Sequence, residues 1–233
     1  MGNRVWIIFA MMGAVVRCRS VNNVHINLRR PATQLEQAAR SAPDDFDAQW
    51  HAAEALADVA ENGATKDKRI QAAKSGLTFA RRGEELQPNR VEGYYWYAIN
   101  VGLLADADRM YGLKAVAEIE AALQRAATID EKYDFAGPLR VLGILHLRTP
   151  PPPASIGSPR KGLRLLQLAA DLFPNYLENQ LYLAEALRDN DRNAEACACV
   201  EKVLAAKPAP GHETELARWQ ASAERLLTCK PTK

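Results

Sequence analysis

PNYLENQLYLAEALRDNDRNAEACACVEKVLAAKP, residues 174–208, decides the fold, because two apolar helical patterns stand between prolines that lie 34 residues apart. In its first half Gln180 is followed three and four positions on by Leu183 and Ala184. Its second half places Ala196, Val200 and Val203 at fixed offsets before Pro208. Residues three and four apart share one helix face, so each half reads as a helix with an apolar side. Proline lacks a backbone donor and clashes with the preceding turn, so it ends one pair and opens the next.

The same frame recurs upstream. Gly76, Ala80, Gly83 and Pro88 keep the offsets, as do Gly162, Leu166, Ala169 and Pro174; Ile119, Leu123, Ala126 and Glu131 keep them without a proline. Small residues at these points let the second helix of each pair lie close to its neighbours. First helices precede them around Trp50 with Ala53, Tyr94 with Tyr97 and Ala98, and Leu139 with Leu142 and Gly143. From Asp44 onward no stretch alternates with the period of two that a strand requires. The expected fold is all-α, a tetratricopeptide-type (TPR-like) helical-repeat solenoid of about four helix pairs, since a 34-residue helix–turn–helix repeat is the signature of that class. A capping helix over His212–Leu227 covers its C-terminal end, and an opening helix lies within Val24–Arg40, with Thr33 and Glu36 spaced as a capping box. Polar or proline-rich breaks are expected at Glu61–Lys68, Ala105–Lys114 and Thr149–Pro159, where TPPPPASIGSP reads as a stiff loop that redirects the chain.

Composition agrees with one folded domain over 24–233. Hydrophobic residues make up 48% and charged residues 25% of 233, an ordinary globular balance. Thirty Lys and Arg against 28 Asp and Glu give a formal charge of +2, too weak a field to hold a phosphate backbone, so nucleic acid is excluded as a partner. Residues 1–23 differ in kind. Arg4 is followed by VWIIFAMMGAVV over 5–16, shorter than the roughly 18 apolar residues a span needs but suited to the core of a secretory signal. The segment reads as signal-like or membrane-tethering, placing the protein in the periplasm or at a membrane, with the cytoplasm as the alternative. In Val15–Val16–Arg17–Cys18, Cys18 stands where a lipidated cysteine would, although Arg17 and Arg19 occupy positions that favour small residues. Cys197 and Cys199 point about 200° apart on a helix, so they do not share a metal; either could pair with Cys229 in an oxidising compartment.

No Gly-x-Ser-x-Gly, phosphate-cradling glycine loop or His-Glu-x-x-His is present, so no enzyme motif appears. His25, His51, His146 and His212 are scattered, and each reads as a core or surface residue with its hydrogen bonds satisfied. No cofactor and no metal is expected. In such repeats, positions two, five, nine and twelve of each first helix line a groove. That rule nominates Ala48, His51, Ala55 and Asp58, then Glu92, Tyr95, Ile99 and Asn100, then Arg140 and Ile144, then Glu178, Leu181, Glu185 and Arg188. The aromatic run Tyr94–Tyr97 points all round its helix, and Tyr95 and Trp96 are the contact residues chosen from it. The nominated partner-binding set is therefore Tyr95, Trp96, Ile99, Asn100, Arg140, Ile144, Leu181, Glu185 and Arg188.

Tyr95-Trp96-Tyr97-Ala98, Leu142-Gly143 before the proline loop, Ile156 to Gly162, Leu168-Ala169-Ala170, Phe173 to Tyr176 and Tyr182 to Glu185 together resemble the T component of TRAP transporters, over about Asp44–Pro208. That family consists of periplasmic tetratricopeptide lipoproteins. The resemblance implies a non-catalytic exported scaffold, a solute-binding protein as partner and a hydrophobic ligand channel. Two other readings stand beside it: a small apolar ligand held in an aromatic-lined pocket, and an enzyme or enzyme subunit whose groups meet only in space. A homo-oligomer is compatible with all three.

Overall fold

A computed structural model describes residues 30–108, 111–208 and 213–226. They form ten helices and no strand. The chain divides into two compact units, Met1–Tyr133 and Asp134–Lys233.

The first unit holds α1 (Ala32–Ser41), α2 (Phe46–Asn62), α3 (Lys66–Leu86), α4 (Val91–Ala107) and α5 (Gly112–Ile129). Their starts are written locally. The Asp45 carboxylate accepts from the Asp47 and Ala48 amides at 3.0 and 3.2 Å, and the Thr65 hydroxyl accepts from the Lys68 amide at 3.2 Å; each side chain satisfies donors that a helix N-terminus leaves open. The capping box expected at Thr33 and Glu36 does not form. Thr33 lies inside α1, whose N-cap is Pro31, and Glu36 instead pairs one turn on with Arg40 at 2.6 Å. The break expected over Glu61–Lys68 narrows to residues 63–65, because the polar residues on either side belong to helix ends. Likewise α4 runs on to Ala107 and α5 begins at Gly112.

The helices of this unit alternate in burial. Every residue of α4 except Tyr94 and Asp106 is buried, whereas of the 21 residues of α3 only Ala72, Ala73, Gly76, Phe79, Ala80 and Gly83 are. A helix that is apolar all round is enclosed on all sides, and one with a single small-residue stripe lies on the outside. α4 carries charge only at Glu92 and Asp106, near its two ends, where Arg90 and Arg69 pair with them.

The second unit holds α6 (Tyr133–Arg148, which begins with the last residue of the first unit), α7 (Pro159–Leu172), α8 (Leu177–Arg188), α9 (Asn193–Leu204) and α10 (Glu213–Leu226). The deciding stretch 174–208 thus contains one helix pair, α8 and α9, and α10 packs against both. At the start of α6, Asp134, Phe135 and Ala136 have φ of 49°, 53° and 63°. Three consecutive non-glycine residues in the left-handed region cost about 1–2 kcal/mol each. The right-handed helix starts only after them, so Pro138 occupies its first turn, where a missing amide donor does no harm. The loop 149–158 is latched at its base: the Gly157 amide donates to the Pro150 carbonyl and the Ser158 amide to the His146 carbonyl, both at 2.8 Å. α6 and α7 then meet backbone to backbone. A Cβ added to Gly162 would stand 2.8 Å from the Gly143 carbonyl oxygen, and one on Gly143 would stand 2.6 Å from Leu166 Cγ.

Candidate protein-binding surface

Most of the nominated contact residues lie in the interior. Tyr95 is 1% exposed, its ring edge-on to Trp96 at 5.3 Å and to Tyr133 at 5.1 Å. Trp96 is buried and donates its indole N–H to the Tyr133 hydroxyl at 3.2 Å. Asn100 is fully buried and donates to the carbonyls of Ala53 and Trp96 at 3.0 and 2.9 Å. Its amide group occupies the space a side chain on Gly76 would need, so Asn100 ties α2, α3 and α4 together. Ile99, Ile144 and Leu181 are core residues. These positions face inward because helices α4, α6 and α8 bury the side that the groove rule leaves open.

Arg140 is corrected most sharply. Its guanidinium is wholly buried and holds the left-handed turn: Nη1 donates to the Asp134 and Phe135 carbonyls at 3.2 and 3.1 Å and to Asn179 Oδ1 at 3.1 Å. Nη2 donates to the Asp134 carboxylate at 3.2 Å, Nε lies 3.6 Å from Glu178, and the plane sits 5.1 Å from the centre of the Tyr176 ring. Asn179 completes the knot by donating to the carbonyls of Phe135 and Ala169, both at 3.0 Å. Arginine's planar fork can satisfy this many acceptors at once. The charge serves the fold.

Glu185 and Arg188 alone of the nominated set reach solvent. Glu185 accepts from Arg148 Nε and Nη2 at 3.2 and 2.7 Å, and Arg188 lies 3.7 Å from Asp189, whose carboxyl is pushed up by burial. From α2, Ala48, His51 and Ala55 are half-buried and Asp58 is exposed. His146 is a core residue with Nδ1 3.0 Å from the Ile156 carbonyl. Cys197 and Cys199 are half-buried and form no disulfide among the described residues, and burial pushes the Cys199 thiol up. Cys18, His25, His212, Cys229 and residues 1–23 fall outside the described residues.

Accessible polar groups lie on the outer helices, and in the first unit Arg81 and Glu118 from those helices reach buried Tyr97 of α4. In the first unit Tyr97 and Tyr111 both donate to Glu118 Oε2, at 2.8 and 3.2 Å, and Arg81 donates to the Tyr97 oxygen at 2.6 Å. Burial, with the Glu118 charge adding to it, holds both phenols above their ordinary range. Close by in sequence, Glu84 lies against Gly93 of α4, and burial pushes its carboxyl up to about 7. In the second unit α7 exposes Arg160, Arg164 and Leu168. The groove rule passes over these residues because it draws only on first helices. Two arginines one turn apart with a leucine one further turn on, Arg160, Arg164 and Leu168, were the available signal on this second helix.

Paired helices with alternating inner and outer members, two of them meeting through facing glycines, define a helical-repeat protein of the tetratricopeptide class. The chain belongs to the family of regulator of microtubule dynamics proteins 1–3, whose model matches residues 23–149. That family is the one shown, where the sequence had pointed to the T component of TRAP transporters; the residues quoted for that likeness are largely packing elements. Among solved structures the chain is similar to TTC0263, a thermophilic TPR protein of Thermus thermophilus, at 21% identity over 83% of this chain and 89% of that one, with a TM-score of 0.61. MamA protein follows at 16% identity over 87% and 91%, with a TM-score of 0.48. No curated protein matches the chain in sequence.

Proposed function

We propose that the chain is a non-catalytic helical-repeat scaffold that works by binding another protein. The observation that carries this reading is the division of labour among its polar groups. The buried donors, the Arg140 guanidinium toward Asp134, Glu178 and Asn179 and the Asn100 amide nitrogen toward Ala53, join helices, while the outer helices present mixed charged and apolar faces. Stacked helix pairs supply extended surface for recognition. The family's name concerns regulation of microtubule dynamics, so the microtubule or a protein bound to it is the first partner to test. Co-sedimentation of the purified full chain with polymerised tubulin, with and without microtubule-bound proteins, should leave the chain in the pellet in a saturable manner. A chain that remains in the supernatant in both cases, while turning over a small molecule, would sink the scaffold reading.

The apolar run at 5–16 belongs to the same proposal as a targeting or tethering segment. Fractionation of cells expressing the full chain, with mass spectrometry of its N-terminal peptide, separates the outcomes. An intact, unmodified N-terminus on protein recovered wholly from the cytosol removes both export and lipidation of Cys18.

A further inference from the structure

The outer face of α7 carries an apolar groove edged by arginines. The helix buries Gly162, Leu166, Ala169 and Ala170 and leaves Leu168 40% exposed, the most open large hydrophobic side chain among the described residues. Leu165 lies half-buried one turn before it. The groove over these residues has a volume of about 710 Å³ and is bounded by Arg160 and Arg164 on α7 and by Arg192 ahead of α9. Of the nearby acids, Glu195 is paired with Arg192 through two bonds of 2.7 and 2.6 Å. Asp171, one turn beyond Leu168, accepts only from the Gln167 amide at 3.0 Å among the described residues and places a carboxylate at that end of the groove. The guanidiniums of Arg160 and Arg164, one turn apart, make no hydrogen bond or ion pair among the described residues. Helix stability does not account for them, because cations are disfavoured in the first turns of a helix and like charges one turn apart repel.

We infer that this groove docks an acidic amphipathic helix of a partner protein. An apolar side chain of that helix covers Leu165 and Leu168, and carboxylates one turn apart on it meet the Arg160 and Arg164 guanidiniums. A concave site with an apolar floor and cationic rim is the complement of such a helix. Guanidinium and carboxylate pair in a bidentate, geometrically specific way. The inference rests on the protein-binding reading and names the chemistry of the partner.

The test is fluorescence anisotropy of a short, labelled, end-capped helical peptide with two leucines on one face and two flanking glutamates one turn apart, titrated with the full chain. Arg160→Glu/Arg164→Glu should weaken binding at least about tenfold, and Leu168→Ser should weaken it severalfold. Replacing the peptide glutamates by lysine should abolish binding to the native chain and restore it to the doubly reversed variant. The reversal puts acids where the helix dipole favours them, so lost binding with an unchanged or higher Tm reports the docking surface and not a damaged fold. Equal affinity for native and reversed chains overturns the inference. So does binding to phosphatidylserine vesicles with none to the peptide, which would make the face a lipid surface. If the peptide fails while the chain still pellets with microtubules, the groove assignment falls and the scaffold reading stands.

Discussion

Arg140 shows what a single buried charge can do. It spans the left-handed turn at Asp134–Ala136 and the start of α8, and its removal leaves the Asp134 and Glu178 carboxylates in the interior without their cation. Breaking a buried pair from one side typically costs about 3–5 kcal/mol. Arg140→Met should therefore lower the urea midpoint of the second unit by that equivalent, and a loss under about 1 kcal/mol would show that the knot is not what fixes the turn. Glu84 gives a prediction in pH. Its carboxyl has an ordinary value of 4.5 and stands at about 7 in the folded chain, so the folded state holds a proton that the unfolded chain has already released between those values. Stability from this group is then lost as pH rises from 4.5 to 7 and stays lost above it. Glu84→Gln should match the native chain near pH 4.5 and exceed it at pH 8, which denaturant midpoints at the two pH values would check.

At the scale of elements, the small residues in the repeat frame differ in how closely they are approached. A Cβ on Gly83 would meet Gly93 at 3.7 Å, an ordinary contact, whereas on Gly162 it would meet backbone at 2.8 Å. Gly83→Ala should leave stability unchanged or raise it by about 0.5–1 kcal/mol through helix propensity. Gly162→Ala should cost about 1–3 kcal/mol, because backbone on α6 must give way. Thermal unfolding of both variants separates close approach from a merely shared spacing. The pairs themselves were readable in sequence, since proline positions and apolar periodicity are local properties. Which face of each first helix meets solvent was not. The periodicity at α4 is the same whether its second face is open or covered, and only its lack of mid-helix charge pointed to enclosure. Arg140 was hidden for a related reason: its partners lie on Asp134 and on Glu178 and Asn179, whose nearness depends on a turn that no residue type there announces.

For the molecule as a whole, the repeat class was legible from 174–208 and the family from the chain's relatives, but the surface that recognises a partner was not. Groove rules transfer from other repeats through the solvent exposure of the first helices, and in this chain α4, α6 and α8 bury most of those positions while α2 leaves its own partly open. Under the docking proposal, recognition falls to outer faces such as that of α7, where exposure depends on what neighbouring helices leave uncovered. Substitutions at Tyr95 or Trp96 should act through stability. Tyr95→Ala should lower Tm and weaken any partner only in proportion to the folded fraction, and full loss of binding by a fully folded variant would restore Tyr95 to the contact surface.

The proline loop after α6 offers a practical handle. Its two ends are fastened by the Gly157 and Ser158 amides and by His146, while Pro151 to Ala154 at its tip are exposed. A short epitope or fluorophore tag grafted between Pro153 and Ala154 would extend a crest whose base stays shut. Loop tips of this kind tolerate insertion with little penalty, so the chain can carry a reporter there without disturbing either α7 or the seam of glycines beneath it.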